Sequence, residues 1–334
     1  MSQLKSIASP AELLDVAFGY QRSQVLFALV ELKIPTLLTG KKQTAAALAA
    51  EIKIHPLALD RLLSAAVTLN LLEKFDGQVF QNTELTAKYL IEGEDNYLGD
   101  QFKFYRDNSY DKWPKLTEKM QQWQPGMGDE QSSDEEDQSA DTLPPQHNLS
   151  LLVGKALGRA IDFSNFKKML DVGGGTGAMS LGVCEVNEHL QASVWDLPKV
   201  LETTAKFVTK SELANRVETL GGNFKEDDLP IGFDCILLAN LLSVASEETN
   251  RAFLKRIYAA LPMGGACLIS GWILDDSRLA PEAAVLFCLE DIINQVPDVE
   301  RTETTYRNWL EEAGFAKIKR EMYLAPYSYI LAQK

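Results

Sequence analysis

The sequence predicts an α/β chain: an open, mostly parallel seven-stranded sheet with helices on both faces, preceded by a smaller, mostly helical unit. Three observations predict it. From about residue 150, strand-like apolar runs alternate with helix-like runs. A turn of four glycines, in "KMLDVGGGTGAMS" (168–180), joins the first of those strands to a helix. Residues 10–92 read as helix, helix, helix and hairpin, the order of a winged helix. At 334 residues the chain is long for one domain, and its composition leaves room for a sizeable core.

The elements follow in order. "SPAELLDVAFGYQRSQVLFALVELKI" carries apolar residues at helical spacing, with Ser9 as N-cap and Pro10 at the first helical position. "TAAALAAEIKI" and "HPLALDRLLSAAVTLNLLEKF" are the next helical runs, "DGQVFQN" turns into an extended stretch, and "TELTAKYL" closes the unit. Residues 95–126 are rich in aromatics, Phe102, Phe104, Tyr105, Tyr110, Trp113 and Trp123, which serve as helix core or as pocket lining. Beyond 150 the strands are "KKMLDV", "LQASVWD", "RVETL", "FDCILLA", "GACLISGWIL", "KIKREMYL" and "YSYILAQ", the last two an antiparallel pair. The boundaries expected are 1–95 for the winged-helix unit, 96–150 for a helical linker with an acidic mobile loop at 128–145, and 151–334 for the sheet domain.

Charge narrows the function. The net charge is −14, and "GDEQSSDEEDQSAD" (128–141) alone holds seven acids and no base. Nucleic acid and anionic membranes, which need clustered Lys and Arg, are disfavoured as partners. The would-be recognition helix, 56–72, offers one cation, Arg61. Its winged-helix unit is therefore expected to pack against a second copy of the chain, through apolar faces around Val25–Leu38, rather than on DNA. Four unpaired cysteines in apolar surroundings read as buried thiols in a reducing compartment. No apolar run approaches 18 residues, so a cytoplasmic protein is expected. Three scattered His and no clustered ligands give no metal site.

The glycine turn by itself fits a dinucleotide fingerprint, a weak signal. Its surroundings select a different ligand. Asp171 precedes Gly173 by two residues, and an acid there repels a pyrophosphate but attracts an ammonium. S-adenosylmethionine brings an ammonium, a sulfonium and no phosphate. Asp196 ends the next strand, where a carboxylate accepts both ribose hydroxyls. "LGGNF" (220–224) follows the third strand and is placed to wall the adenine.

"LDVGGGTG", "WDLP", "LGGNF", "LPMGGACLI" and "ERTETTYRNWLEEAGF", in that order and spacing, resemble class I S-adenosylmethionine-dependent methyltransferases. More narrowly, the chain resembles the two-domain small-molecule O-methyltransferases of the caffeate and hydroxyindole type, over nearly its whole length. The resemblance implies a Rossmann-like methyltransferase sheet and a winged helix that dimerises. It implies that Gly173, Gly175 and Gly177 approach the methionine part, that Asp196 holds the ribose, and that Asn223 with Phe224 frames the adenine. The family usually carries Asp at position 223. Asp171, Gly174, Leu197 and Asn240 complete the expected cofactor set.

The resemblance departs at the catalytic base. The family has a His just after the fourth strand; in "LLANLLSVASEE" (237–248) Ser243 stands in its place, and an unactivated hydroxyl has no useful basicity near neutral pH. A second acidic family position falls at Gly271; the third is kept as Glu300, a pocket hydrogen-bonder or a carboxylate at a helix N-terminus. His147, after the acidic loop, is a candidate stand-in base, and Ser246 is the cap of the following helix. Trp272 and Phe287 are candidates for pocket lining or core. Loss of the base does not end the enzyme reading. General-base catalysis is worth roughly 3–5 kcal/mol, whereas alignment of the reactants is worth roughly 7–11 kcal/mol.

The expectation is a homodimeric enzyme transferring methyl from S-adenosylmethionine to a small, largely apolar, aromatic or cyclic acceptor, at an acidic oxygen or a nucleophilic carbon. The alternative is a protein that binds the cofactor on the same fold without methyl transfer.

Overall fold

The computed structural model describes residues 9–124, 143–294 and 302–334. The chain divides into two compact units between Asp111 and Lys112.

In the first unit, helices Pro10–Ala17 and Gly19–Glu31 are separated at Phe18, where the sequence pattern reads as one run. Ser9 caps the first of them by accepting the Glu12 N–H, with Pro10 behind it. Strand β1 (Gln43–Thr44) leads into helix Ala45–Ile52, and His55 accepts the Leu57 N–H at the head of helix Pro56–Thr68. Strands β2 (Leu72–Phe75) and β3 (Val79–Asn82) form the hairpin, turned by Asp76 and Gly77 at φ of 47° and 69°. The sheet order is β1-β3-β2. Leu29, Ile34, Leu48, Leu59, Leu63, Leu72 and Phe80 form one core. Helix Pro10–Ala17 buries no residue.

The second unit is built on a seven-stranded sheet: β4 (Lys168–Val172), β5 (Gln191–Asp196), β6 (Val217–Gly221), β7 (Cys235–Ala239), β8 (Ala266–Gly271), β9 (Ala316–Leu324) and β10 (Tyr327–Gln333). Its order is β6-β5-β4-β7-β8-β10-β9; the first five are parallel, and β10 runs antiparallel between β8 and β9. Continuous apolar runs fill both faces because helices cover both. Along β4, Met169 joins one core while Leu170 and Val172 join the other; along β7, Cys235 and Leu237 alternate with Ile236 and Leu238 in the same way. Strand order reverses between β4 and β7, and a crevice at the carboxyl ends of those strands is where open sheets of this kind place ligands.

The six aromatics named in the 95–126 stretch are all half-buried, on or next to short helical segments, while Tyr97 in the same stretch is buried. The acidic run 128–141 and Glu300 lie outside the described residues.

Candidate active site

The site begins where β4 stops. Gly173, Gly175 and Gly177 take φ of 64°, 57° and 76°, a left-handed conformation that side chains strain. Gly174 has ordinary backbone but no space: a Cβ there would lie 2.8 Å from both Cγ of Asp171 and Cγ1 of Val194. The Asp171 carboxylate is thus pressed against the underside of the turn. It is fully buried, and Ser180 donates its hydroxyl to Oδ2 at 2.7 Å. Oδ1 is buried with no hydrogen bond. Burial, reinforced by the Asp196 charge and opposed by Ser180, pushes its pKa up to about 7.

At the end of β5, Asp196 closes the other side. Its Oδ2 accepts the Gly175 N–H and its Oδ1 the Leu197 N–H, each at 2.8 Å. Burial raises its pKa while those two N–H groups pull it back. Each oxygen keeps a lone pair for a further donor. Leu197 therefore enters the site through its backbone.

His147 folds over this half, at the start of helix His147–Ala160. Its Nδ1 lies 2.8 Å from the Thr176 hydroxyl, and its ring stacks on Phe207 with centroids 3.8 Å apart. Burial drives its pKa down to about 4, so the ring is neutral at pH 7. His147 thus packs on the glycine turn, while Ser243 belongs to the segment after β7. Leu143 lies beside it, 3.1 Å from where a Cβ on Gly175 would stand.

After β6, Asn223 spends its side-chain oxygen on the Lys225 N–H at 3.0 Å, and its own N–H donates to Asp227. Phe224 is held edge-on against Phe253, at 5.1 Å, with Arg256 donating to its carbonyl. The Oδ1 of Asn223 thus accepts one hydrogen bond within its own turn and keeps a second lone pair.

After β7, Asn240 adopts φ of 53°, unusual for a side-chain-bearing residue, and donates its N–H to Ser270 at 2.8 Å. A Cβ on Gly271 would meet its Oδ1 at 3.0 Å, so glycine at 271 leaves room for this side chain across the end of β8. Ser243 donates its hydroxyl to the Asn240 carbonyl at 3.0 Å, closing the turn. Ser246 caps helix Glu247–Ala260 by accepting the Thr249 N–H.

The segment after β8 supplies a third group. Trp272 packs its ring on Phe287 (4.9 Å) and Tyr327 (5.8 Å), with Phe287 39 % exposed, so the pair is a surface-facing wall rather than core. One helical turn past Phe287, Glu290 is buried on helix Glu282–Asn294. It accepts the Trp113 indole N–H at 2.6 Å and the Asn294 amide at 3.2 Å. The sequence reading missed Glu290; its only signal was an acid in register with Phe287 inside a mostly apolar helical run.

Residues 99–316 match the O-methyltransferase domain family, and residues 14–92 match the O-methyltransferase dimerisation domain. The chain belongs to the O-methyltransferase family. The methyltransferase is 28% identical over 321 residues to the 3-hydroxy-5-methyl-1-naphthoate 3-O-methyltransferase of Streptomyces sahachiroi, covering 95% of this chain and 92% of that one. It is 30% identical over 321 residues to the demethylspheroidene O-methyltransferase of Cereibacter sphaeroides, covering 95% and 84%. The crystal structure of human N-acetylserotonin methyltransferase in complex with SAM aligns with it at a TM-score of 0.84 and 28% identity, over 99% of both chains. This methyltransferase thus has the seven-stranded fold and the helical N-terminal domain that its sequence predicted.

Proposed function

We propose that this methyltransferase moves a methyl group from S-adenosylmethionine to a small, largely apolar, aromatic or cyclic acceptor, with an acidic oxygen preferred over carbon. The observation that carries the cofactor assignment is Asp171: a buried carboxylate with one oxygen unbonded, set under a turn of three left-handed glycines. A phosphate above that turn would face this charge; an ammonium would relieve it, drawing the carboxylate into its ionised form. The residues fit the cofactor. Gly173, Gly174, Gly175 and Gly177 offer a side-chain-free surface to the methionine part. Asp196, already oriented by two N–H groups, accepts the ribose hydroxyls. Asn223 and Phe224 edge the adenine, with Asn240 across the β7–β8 ends. His147 and Leu143 cover the glycine turn.

When bound, S-adenosylmethionine supplies an activated methyl: the acceptor's lone pair forms the new bond as the carbon–sulfur pair passes to sulfur. The protein's work is to hold the acceptor in line and keep water out. Ser243, read as the counterpart of the family's His, ties down its own turn and supplies no base. An acceptor that is acidic at oxygen needs least help, which favours it. A carboxylate such as Glu300 at the acceptor is part of this reading.

The dimerisation-domain match supports a homodimer, and so do exposed apolar side chains at its edge: Leu13, Leu14, Val16, Phe18 and Tyr20. Among the described residues no helix is long and apolar enough to cross a membrane.

Calorimetry tests the cofactor assignment. Binding of S-adenosylhomocysteine with no binding of NAD supports it; the reverse sinks it. Mass spectrometry of a hydroxyarene mixture incubated with enzyme and S-adenosylmethionine then tests transfer, a gain of one methylene mass being the expected product.

A further inference from the structure

Asp171 and Glu290 are the two buried acidic residues among the described ones. Asp171 belongs to the cofactor half, over β4 and β5. Glu290 has no part in the chemistry above. Burying a carboxylate is costly, and a long helix has little structural need of one on its packed face. Its position in the fold gives it a use. The glycine turn and Asp196 fill the crevice on the β4–β5 side. The acceptor must then approach from the other side of the strand-order reversal, over the ends of β7 and β8. The segment leaving β8 carries Trp272, whose ring meets Phe287, and Glu290 lies one helical turn beyond on the same stripe. Trp113 and Asn294 aim N–H groups at the carboxylate and fix its orientation, as a positioned acceptor of protons requires. Asn294 is held in turn by Lys112 at 2.7 Å.

We propose that Glu290 is the acceptor-binding carboxylate of this methyltransferase: it receives the hydrogen bond of the acceptor hydroxyl and takes its proton as the oxygen is methylated. The proton passes from the acceptor oxygen to the carboxylate and later to solvent; the oxygen keeps the lone pair that forms the bond to carbon. Glu290 thereby supplies what the hydroxyl of Ser243 lacks. The proposal rests on the methyltransferase reading above. Among the described residues, the charged and titratable groups on the elements that pack there are Lys112 and Lys115 beside Trp113, Glu118 and Lys119 on helix Leu116–Gln122, and Glu282, Cys288 and Asp291 on its own helix.

The test uses full-length protein, with and without S-adenosylhomocysteine, titrated with 2-naphthol and 4-phenylphenol and with the methyl ether of each. Wild type is expected to bind the hydroxyarenes roughly tenfold to a hundredfold more tightly than their ethers, the value of a hydrogen bond to a charged group. E290L is expected to abolish the preference and E290Q to reduce it severalfold, with S-adenosylhomocysteine affinity unchanged in both. W113F, which removes one of the two positioning donors but keeps the carboxylate, is expected to weaken the preference severalfold without abolishing it. Absence of a preference in wild type, its survival in E290L, or its complete loss in W113F overturns the proposal, the last because Glu290 would then only tether Trp113. Failure of wild type to bind S-adenosylhomocysteine would instead strike the cofactor assignment, and the titration without it keeps the two results separate.

Discussion

The Ser180 hydroxyl donates to one oxygen of Asp171 at 2.7 Å, and the other oxygen of that buried carboxylate receives nothing. A charge left in that state destabilises the protein until something positive arrives. It links the fold of the glycine turn to the choice of cofactor.

Its first consequence is a pH dependence of stability. Burial raises the Asp171 pKa from 3.8 to about 7, so the native state holds this proton more tightly than the unfolded chain. Native stability is then greatest below about pH 4 with respect to this group and is lost as pH rises through about 7. D171N removes the titration. Denaturant melts of the cofactor-free protein at pH 5 to 8 are expected to show wild type weakening relative to D171N, by on the order of 2–3 kcal/mol across the interval. The same variant is expected to bind S-adenosylhomocysteine at least tenfold more weakly, having lost the charge that faces the ammonium. A flat difference between the two melts would show that the carboxylate is ionised throughout.

Asp196 separates binding from folding more cleanly. Its two oxygens already accept Gly175 and Leu197, and it stands at the mouth of the crevice. In D196N one of those N–H groups faces an amide N–H instead of an oxygen, and the diol loses a charged acceptor. Calorimetry is expected to read a loss of roughly 10- to 100-fold in S-adenosylhomocysteine affinity, with a smaller change in melting temperature. Unchanged affinity would remove Asp196 from the cofactor site.

Legibility in the sequence followed the range of the interaction. The succession of strands and helices along the chain, the glycine turn, and the caps at Ser9 and Ser246 were readable because they rest on local periodicity and turn chemistry. The contact of Glu290 with Trp113 joins residues 177 positions apart, and no local pattern records it. His147 was a candidate by residue type and by its place after the acidic loop. Its actual neighbours, Thr176 and Phe207, come from packing of the helix His147–Ala160 over the turn. Residue type named Asn223, but not the turn in which its oxygen accepts the Lys225 N–H two residues on.

The His147 ring should report on the same turn from above. Burial depresses its pKa from 6.5 to about 4, so the unfolded chain binds the proton first. The stabilising contribution is present above about pH 6.5 and lost as pH falls toward 4. H147F keeps the stack on Phe207 and cannot titrate. Paired melts are expected to show wild type losing on the order of 2 kcal/mol relative to H147F between pH 7 and pH 4. H147F is also expected to retain methyl transfer, since the ring covers the turn and is no base; a loss of a hundredfold would restore it as one.

Ser243 offers a plainer contrast. Its hydroxyl donates to the Asn240 carbonyl, a turn-closing bond worth about 1 kcal/mol. S243A is expected to lower stability by that amount and leave methyl transfer within about threefold, because a general base would cost roughly 10²–10⁴ on removal. A drop of the larger size would mean that the hydroxyl acts in the reaction.

Asn240 carries backbone strain at the place where cofactor and acceptor halves meet. At φ of 53° a residue with a side chain costs more than glycine would, and Asn is among the few that tolerate it. The position is one of only a few described residues outside glycine with positive φ, and its carboxamide lies across the end of β8, with Gly271 cleared to admit it. Backbone strain of this kind clusters at functional sites, which makes the side chain worth testing. Two substitutions separate backbone from side chain. N240A keeps the unfavourable φ without the tolerance of Asn and is expected to destabilise by about 1–2 kcal/mol. N240G relieves the backbone and is expected to melt at or above wild type, while affinity for S-adenosylhomocysteine or for the hydroxyarene probes falls severalfold. Should N240G melt well below wild type with ligand affinities intact, the carboxamide would be a structural brace between β7 and β8 and no part of the binding surface.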